Sequence, residues 1–279
     1  MTAESYDTIV IGAGQAGPFL AAKLVSQGRK VALVESRDLG GTCVNRGCTP
    51  TKTLRKSARV AYMARRAAEF GVHLGPVEVD FAAAMNRMQQ RVDEARAGLE
   101  GWLGNLSGLT IVKAHARLAG RNGDDFLVQA GDRLLSAPRV VLNTGTRPFV
   151  PPIPGLADNP HLDNEGLLAL RELPRKLVVI GGGYISLEMG QIFRRLGSKV
   201  AIIEAGARLT AREDEDVSQA ITEMLRAEGI DVFTGVGIKA VQPGQFEGGS
   251  CVELADGRII GGSHLLVATG RVPNTDDLG

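Results

Sequence analysis

Aromatic residues make up only 4% of this 279-residue chain. So thin a supply offers no stacking platform for single-stranded nucleic acid. Neither sign of charge is in surplus: 32 Lys and Arg stand against 31 Asp and Glu, a net charge of +1. No bulk attraction to nucleic acid or to an anionic membrane follows. Long apolar runs are missing, so no segment reads as a bilayer span. Glu4 and Asp7 precede the first short apolar run, where a secretory leader would be basic. Three cysteines are too few for a secreted disulfide scaffold. The four histidines, His73, His115, His161 and His264, fall in no catalytic pattern, and no metal site is expected. These absences leave a soluble, cytoplasmic globular protein, with length for one large or two modest domains.

What the chain does have is glycine, 36 residues of it, grouped beside apolar runs. Thr8-Ile9-Val10-Ile11 leads into Gly12-Ala13-Gly14-Gln15-Ala16-Gly17, and Leu177-Val178-Val179-Ile180 leads into Gly181-Gly182-Gly183-Tyr184-Ile185-Ser186. One offset of 169 residues aligns Gly12 with Gly181, Gly14 with Gly183, Gly28 with Gly197 and Glu35 with Glu204. Each copy reads strand, glycine turn, helix, strand, acid, the unit that opens a dinucleotide-binding domain. In it the first glycine allows a tight turn, the second lets a pyrophosphate reach the backbone, and the third lets helix and strand pack closely. The phosphates meet unpaired N–H groups at the positive end of the helix, and the acid binds ribose hydroxyls. A single glycine-rich turn often joins an ordinary strand and helix; two concordant copies make that explanation improbable. Ser186 stands where the second copy's third glycine would be, and a slightly looser packing is expected there. A carboxylate at Glu204 suits a free ribose 2′-hydroxyl and repels a 2′-phosphate, favouring NADH. Arg208 and Arg212 follow it closely, so NADPH stays open; otherwise they belong to a solvated loop.

A second echo links Val140-Val141-Leu142-Asn143-Thr144-Gly145 with Leu265-Leu266-Val267-Ala268-Thr269-Gly270. Both read as a buried strand ending at a Thr-Gly turn. Between the repeats, residues 52 to about 70 and 81 to about 103 read as helices, and 110–142 as antiparallel strands. Pro148, Pro151, Pro152 and Pro154 mark a crossing between domains. The fold expected is α/β: two Rossmann-like domains with parallel sheets and antiparallel meander insertions. Residues 1–147 form the first domain, 148–264 the second, and 265–279 a strand returning to the first.

The densest stretch is Gly40-Gly41-Thr42-Cys43-Val44-Asn45-Arg46-Gly47-Cys48-Thr49-Pro50-Thr51-Lys52. A metal site would need further ligands that no second pair supplies. A pair of structural thiols leaves the flanking Gly, Thr-Pro and Lys unexplained. A redox pair accounts for them: Thr49 caps a helix with Pro50 in its first turn, and the positive helix end and Lys52 favour a thiolate. Cys251 reads as a strand residue with no redox partner.

These motifs, together with Gly181-Gly-Gly-Tyr-Ile-x-x-Glu188 and Ala268-Thr-Gly-Arg-x-Pro-Asn274, resemble the pyridine nucleotide–disulfide oxidoreductases over essentially the whole chain. Cys-Val-Asn-Arg-Gly-Cys-Thr-Pro-Thr-Lys is most similar to the mercuric reductase branch. The resemblance implies that Cys43 exchanges with substrate while Cys48 lies against the flavin of FAD. It implies that Lys52, paired with Glu188, sits beside the flavin's reactive nitrogen. Gly12, Gly14, Gly17, Glu35 and Thr42 would hold FAD; Gly181, Gly183, Glu204 and Gly270 would contact the nicotinamide dinucleotide. Gly41, Ala116, Thr144, Gly145 and Ile185 are further cofactor positions on the same ground. The electron acceptor would be a small-molecule or protein disulfide, or Hg(II).

Relatives of this type continue past Asn274 with a flavin-contacting Gly-Asp motif. A dimerising interface domain follows, carrying a His–Glu acid–base pair. The expectation is therefore a fragment that retains FAD weakly and turns over disulfides slowly. Full-length relatives would be homodimers. Two other readings stay open: a flavin-dependent NADH oxidase or quinone reductase, against which the Cys pair argues, and a non-catalytic nucleotide-binding remnant.

Overall fold

A computed structural model describes residues 2–246 and 248–279. Two compact units make up the chain: residues 1–50, 89–147 and 272–279 in one, and 51–88 with 148–271 in the other. The fold is α/β, with one parallel sheet and one antiparallel meander in each unit. Among the described residues no helix is long and apolar enough to cross a membrane, and no three His, Cys, Asp or Glu gather as metal ligands do.

The helices in chain order are α1 (Gly17–Ser26), α2 (Gly41–Arg46), α3 (Cys48–Arg65), α4 (Phe81–Gly104), α5 (Asn164–Leu168), α6 (Tyr184–Leu196) and α7 (Glu215–Ala227). In the first unit the sheet order is Leu109–Lys113, Val31–Glu35, Thr8–Ile11, Val140–Leu142, all parallel. The two central strands are almost wholly apolar because both faces are covered. Ile9, Ile11, Ala32 and Val34 pack against the meander residues Val128, Ala130 and Leu135. Val10, Val31 and Leu33 face the other way and pack with Ala21 of α1 and Leu103 of α4. The period-2 alternation of a strand sends neighbouring residues to opposite cores.

The second unit repeats the plan. Ile230–Thr234, Lys199–Glu204, Lys176–Ile180 and His264–Val267 lie side by side in parallel. Val178, Ile180, Ala201, Ile203, Leu265 and Val267 pack against Val241, Val252 and Leu254 of the meander. Helix α6 buries Met189, Ile192, Phe193 and Leu196, one apolar stripe at helical spacing.

Several expectations need correction. Leu109–Lys113 is parallel and edges the main sheet, because its apolar residues face cores and register with Val31–Glu35; only residues 116–137 form the antiparallel insertion. His264–Val267 lies in the second sheet, in register with Leu177–Ile180. The two Thr-Gly strands differ in burial. Leu265–Val267 is buried, its outer side bridged by Leu162, whereas Leu142 on the sheet-edge strand is 51% exposed. Thr49 is not a cap: α3 begins at Cys48, which puts Thr49 and Pro50 together inside its first turn.

The N-terminal strand Glu4–Ser5 is tied to the first meander by Glu4, which accepts two hydrogen bonds from Arg133 at 2.8 and 2.6 Å. These bonds hold the Glu4 carboxyl at about 2, against an ordinary 4.5. A depressed carboxylate stabilises the fold above its unfolded value and loses that contribution as pH falls through its folded value. Acid titration of wild type and Glu4→Gln, each followed by urea denaturation, is expected to show a wild-type advantage at pH 5 and above. That advantage shrinks below pH 4.5 and vanishes only below pH 2.

Candidate redox site and its dinucleotide loops

The strand Thr8–Ile11 runs directly into Gly12, whose φ is +101°. A Cβ there would lie 2.1 Å from the Asn143 carbonyl oxygen, so both conformation and space require glycine. The Asn143 side chain donates back to the Gly12 carbonyl at 3.1 Å. Glu35, at the end of the adjacent strand, accepts the N–H of Ala13 at 2.7 Å and of Arg37 at 2.8 Å. The second loop is built alike. A Cβ on Gly181 would lie 2.4 Å from the Ala268 carbonyl oxygen, and Glu204 accepts the N–H of Gly182 at 2.5 Å and of Gly206 at 2.6 Å. Each acid thus braces its own glycine turn, a task that sequence alone did not assign to it.

The helices that follow are fitted for an anion. Neither α1 nor α6 carries an acidic residue in its first turn or a side chain capping its N–H groups. By contrast α5 is capped by Asp163, and α7 opens with Glu215 and Asp216. Unclaimed N–H groups at a positive helix end, beside a glycine turn, are what a pyrophosphate needs. The residues present therefore fit a dinucleotide at each loop.

Ser186, in the place of the third glycine, is enclosed in the second loop. A Cβ at its counterpart Gly17 would lie 2.2 Å from the Gly12 carbonyl oxygen, yet Ser186 is fully buried. Helix α6 starts at Tyr184, two aligned positions earlier than α1, which alters the approach of helix to strand. The Ser186 hydroxyl has no hydrogen-bond partner. Ser186→Ala removes an unsatisfied buried hydroxyl without opening a large void. It is expected to raise stability by about 1 kcal/mol, read from the urea midpoint at unchanged slope.

The loop after Glu204 folds back on itself. Thr210, at φ +45°, donates its N–H to the Gly182 carbonyl at 2.9 Å. Arg208 donates to the carbonyls of Ala211 and Glu213 and is half-buried, while Arg212 is exposed. Arg208 is thus a brace within the loop rather than a solvated side chain.

Helix α2 carries Cys43 and is fastened to the first loop. The Gly40 N–H donates to the Ala13 carbonyl at 2.8 Å, and a Cβ on Gly41, at φ +56°, would lie 2.8 Å from the Gly14 Cα. Asn45, between the cysteines, donates to the carbonyls of Leu39 at 3.0 Å and Gly41 at 2.9 Å. Arg46 forms an ion pair with Asp38, which Arg96 also approaches at 3.4 Å. Cys43, Cys48 and Cys251 are not disulfide-bonded; Cys48 is exposed and Cys43 half-buried. Exposure alone therefore does not rank Cys43 as the outward thiol. Lys52 follows Cys48 by one turn of α3, and its Nζ lies 2.5 Å from Glu188 Oε1 on α6.

The remaining positions are scattered. Thr42 is exposed beside Cys43 and Ile185 is half-buried in the first turn of α6. Thr144 and Gly145 follow the Val140–Leu142 strand, and their carbonyls accept from Asn274. Gly270 accepts the Phe149 N–H. Ala116 is buried in the meander core, so only its backbone is placed to meet a ligand. Sequence reasoning missed Asn143, Asn45 and Asp38. Asn143 had a signal, since the Thr-Gly echo aligns it with Ala268. Asn45 and Asp38 act through contacts that no spacing rule encodes.

Two glycine-turn dinucleotide folds, with a Cys-x4-Cys pair fastened behind the first, define a two-nucleotide redox scaffold. The profile of the pyridine nucleotide-disulphide oxidoreductases matches residues 6–279. The chain belongs to that family. It is 38% identical to a mercuric reductase of Shigella flexneri over 277 residues, covering 96% of this chain and 48% of that protein. It is 33% identical to a dihydrolipoyl dehydrogenase of Chlamydia muridarum, covering 99% and 59%. The HOCl-induced flavoprotein disulfide reductase RclA from Escherichia coli superposes with a TM-score of 0.84 at 32% identity, covering 98% of this chain and 58% of that one. The chain spans about half the length of the curated relatives it matches.

Proposed function

We propose that this chain carries two electrons from NADH through FAD to a Cys43–Cys48 disulfide, and on to an external disulfide or Hg(II). The observation that carries the reading is the fastening of the cysteine helix to the first glycine loop, Gly41 against Gly14. It ties the thiol pair to a site built for a dinucleotide. When bound, FAD and the nicotinamide supply a two-electron relay.

The protein's own part is thiol chemistry and placement. Opening the disulfide breaks one S–S bond and takes up two electrons and two protons, or one proton if a sulfur stays thiolate. The Cys43 thiolate then attacks an external disulfide, forming a mixed disulfide and expelling one thiolate. Cys48 attacks the Cys43 sulfur, re-forms the internal disulfide and expels the second thiolate, and both leaving thiolates take protons from water. Lys52, held by Glu188, keeps a positive charge one helical turn from Cys48. Hg(II) is the alternative acceptor because several relatives are mercuric reductases.

NADH is favoured over NADPH by motif position, since a carboxylate at Glu204 repels a 2′-phosphate, and because Arg208 is engaged within its own loop. The test of the function is the visible spectrum of protein supplied with FAD, followed through anaerobic NADH and then a disulfide. Loss of the oxidised-flavin absorbance with NADH, and its return with the disulfide, is the expected result. Protein that binds NADH but shows neither change is a nucleotide-binding remnant, and the proposal fails.

A further inference from the structure

We infer that Tyr62 and Arg195 are positioning residues for Lys52, an inference that rests on the reading of Lys52 and Glu188 as the charge pair of the redox site. Helices α3 and α6 touch near both ends. At their beginnings Lys52 meets Glu188. At their far ends the Arg195 guanidinium lies over the Tyr62 ring, 4.2 Å from its centroid, and the Arg195 carbonyl accepts from Arg65 at 2.5 Å. Glu188 and Arg195 are seven residues apart on α6, hence on one stripe of its surface.

Arg195 is itself fixed. It makes two hydrogen bonds to Glu228, at 2.7 and 2.6 Å, and both side chains are largely buried. Gln191 adds a third bond to the same carboxylate at 2.9 Å. The arginines around this joint do not make an anion site. Arg66 is engaged by Glu69 and the Tyr62 hydroxyl, and Arg195 by Glu228. Arg65 and Arg194 serve main-chain carbonyls where α3, α6 and α7 end. Three negative helix ends meeting at one place account for the positive charge gathered there.

The consequence is leverage. Lys52 and Arg65 are thirteen residues apart, about 20 Å along a rigid helix. A tilt of about 5° at the far end would move Lys52 by roughly 2 Å, enough to part it from Glu188. The exposed Lys52–Glu188 pair is too weak to hold α3 in register alone. Leu54, Ala58 and Ala61 bury one face of α3, and the stack of Tyr62 on Arg195 fixes the tilt of the helix about that face, which sets where the Lys52 ammonium stands.

The test is acetylation of lysines in the cofactor-free chain by acetic anhydride across pH, read residue by residue by mass spectrometry. Lys56, exposed on the same helix, is the internal reference. Tyr62→Leu is expected to raise Lys52 labelling relative to Lys56 by about threefold, the worth of an exposed ion pair. Tyr62→Phe, which keeps the ring face, should restore the wild-type ratio. The double variant Arg195→Met/Glu228→Gln, which leaves no buried unpaired charge, should match Tyr62→Leu. An unchanged ratio in both disrupting variants, or equal rises at Lys52 and Lys56, overturns the inference. The redox reading fails separately, if Lys52→Met leaves the spectrum and reduction of bound flavin unaltered.

Discussion

Cys48→Ser is expected to lower NADH-driven disulfide reduction on the order of 10⁴-fold while leaving reduction of bound FAD by NADH largely intact. On the proposed path the two halves of the reaction separate, because this thiol would act only after electrons have entered. Removing a nucleophile from a concerted catalytic set costs most of the chemical rate enhancement. Cys48 begins α3, and no acidic residue stands in that helix's first turn to offset its positive end. Serine keeps the size and loses the redox chemistry, so folding and dinucleotide binding serve as controls. Stopped-flow absorbance for the first half and steady-state thiol release for the second make the comparison. A Cys48→Ser protein that still reduces disulfides at more than a few per cent of the wild-type rate would remove Cys48 from the path.

Gly12→Ala carries the second large effect. The new Cβ would stand 2.1 Å from the Asn143 carbonyl oxygen in a backbone held at φ +101°. Left-handed strain accounts for about 1–2 kcal/mol and the clash for the rest, so a loss of about 3 kcal/mol or more is expected, with FAD binding abolished. Gly28→Ala separates the two terms. Gly28 also has positive φ, +77°, but nothing lies within 4 Å of its would-be Cβ. It should lose only about 1 kcal/mol and keep FAD. Urea denaturation of the three proteins measures the difference. Equal losses at both positions would mean that steric closure of the loop on Asn143 is not what the first glycine is for.

Much of the fold is written in short-range pattern. The glycine turns, their acids 23 residues on and the strand after each follow from local sequence, because a βαβ unit is closed by residues close in the chain. The duplication made each copy a check on the other. What escaped was decided by distant contacts. Leu109–Lys113 looks like any short apolar run; its parallel pairing depends on the register with Val31–Glu35. His264–Val267 stays in the second sheet because Leu177–Ile180 pairs along it and Leu162 covers its outer side. The cysteine spacing pointed to the thiol pair, but the fastening of Asn45 to Leu39 and Gly41 lies in side-chain geometry. Glu35 and Glu204 were read as ribose ligands from position alone. What the structure gives them is a grip on the N–H groups of Ala13 and Gly182, which shapes the loops. The joint of Tyr62, Arg195 and Glu228 left no sequence signal, since its members come from three separated segments.

The central claim is that electrons from NADH reach Cys43 and Cys48. It is tested most directly by counting thiols. The chain has three cysteines. Protein first oxidised, supplied with FAD and then unfolded under argon should show one reactive thiol, Cys251. The same protein given NADH before unfolding should show three. A count of one after NADH, with the flavin reduced, would contradict the account.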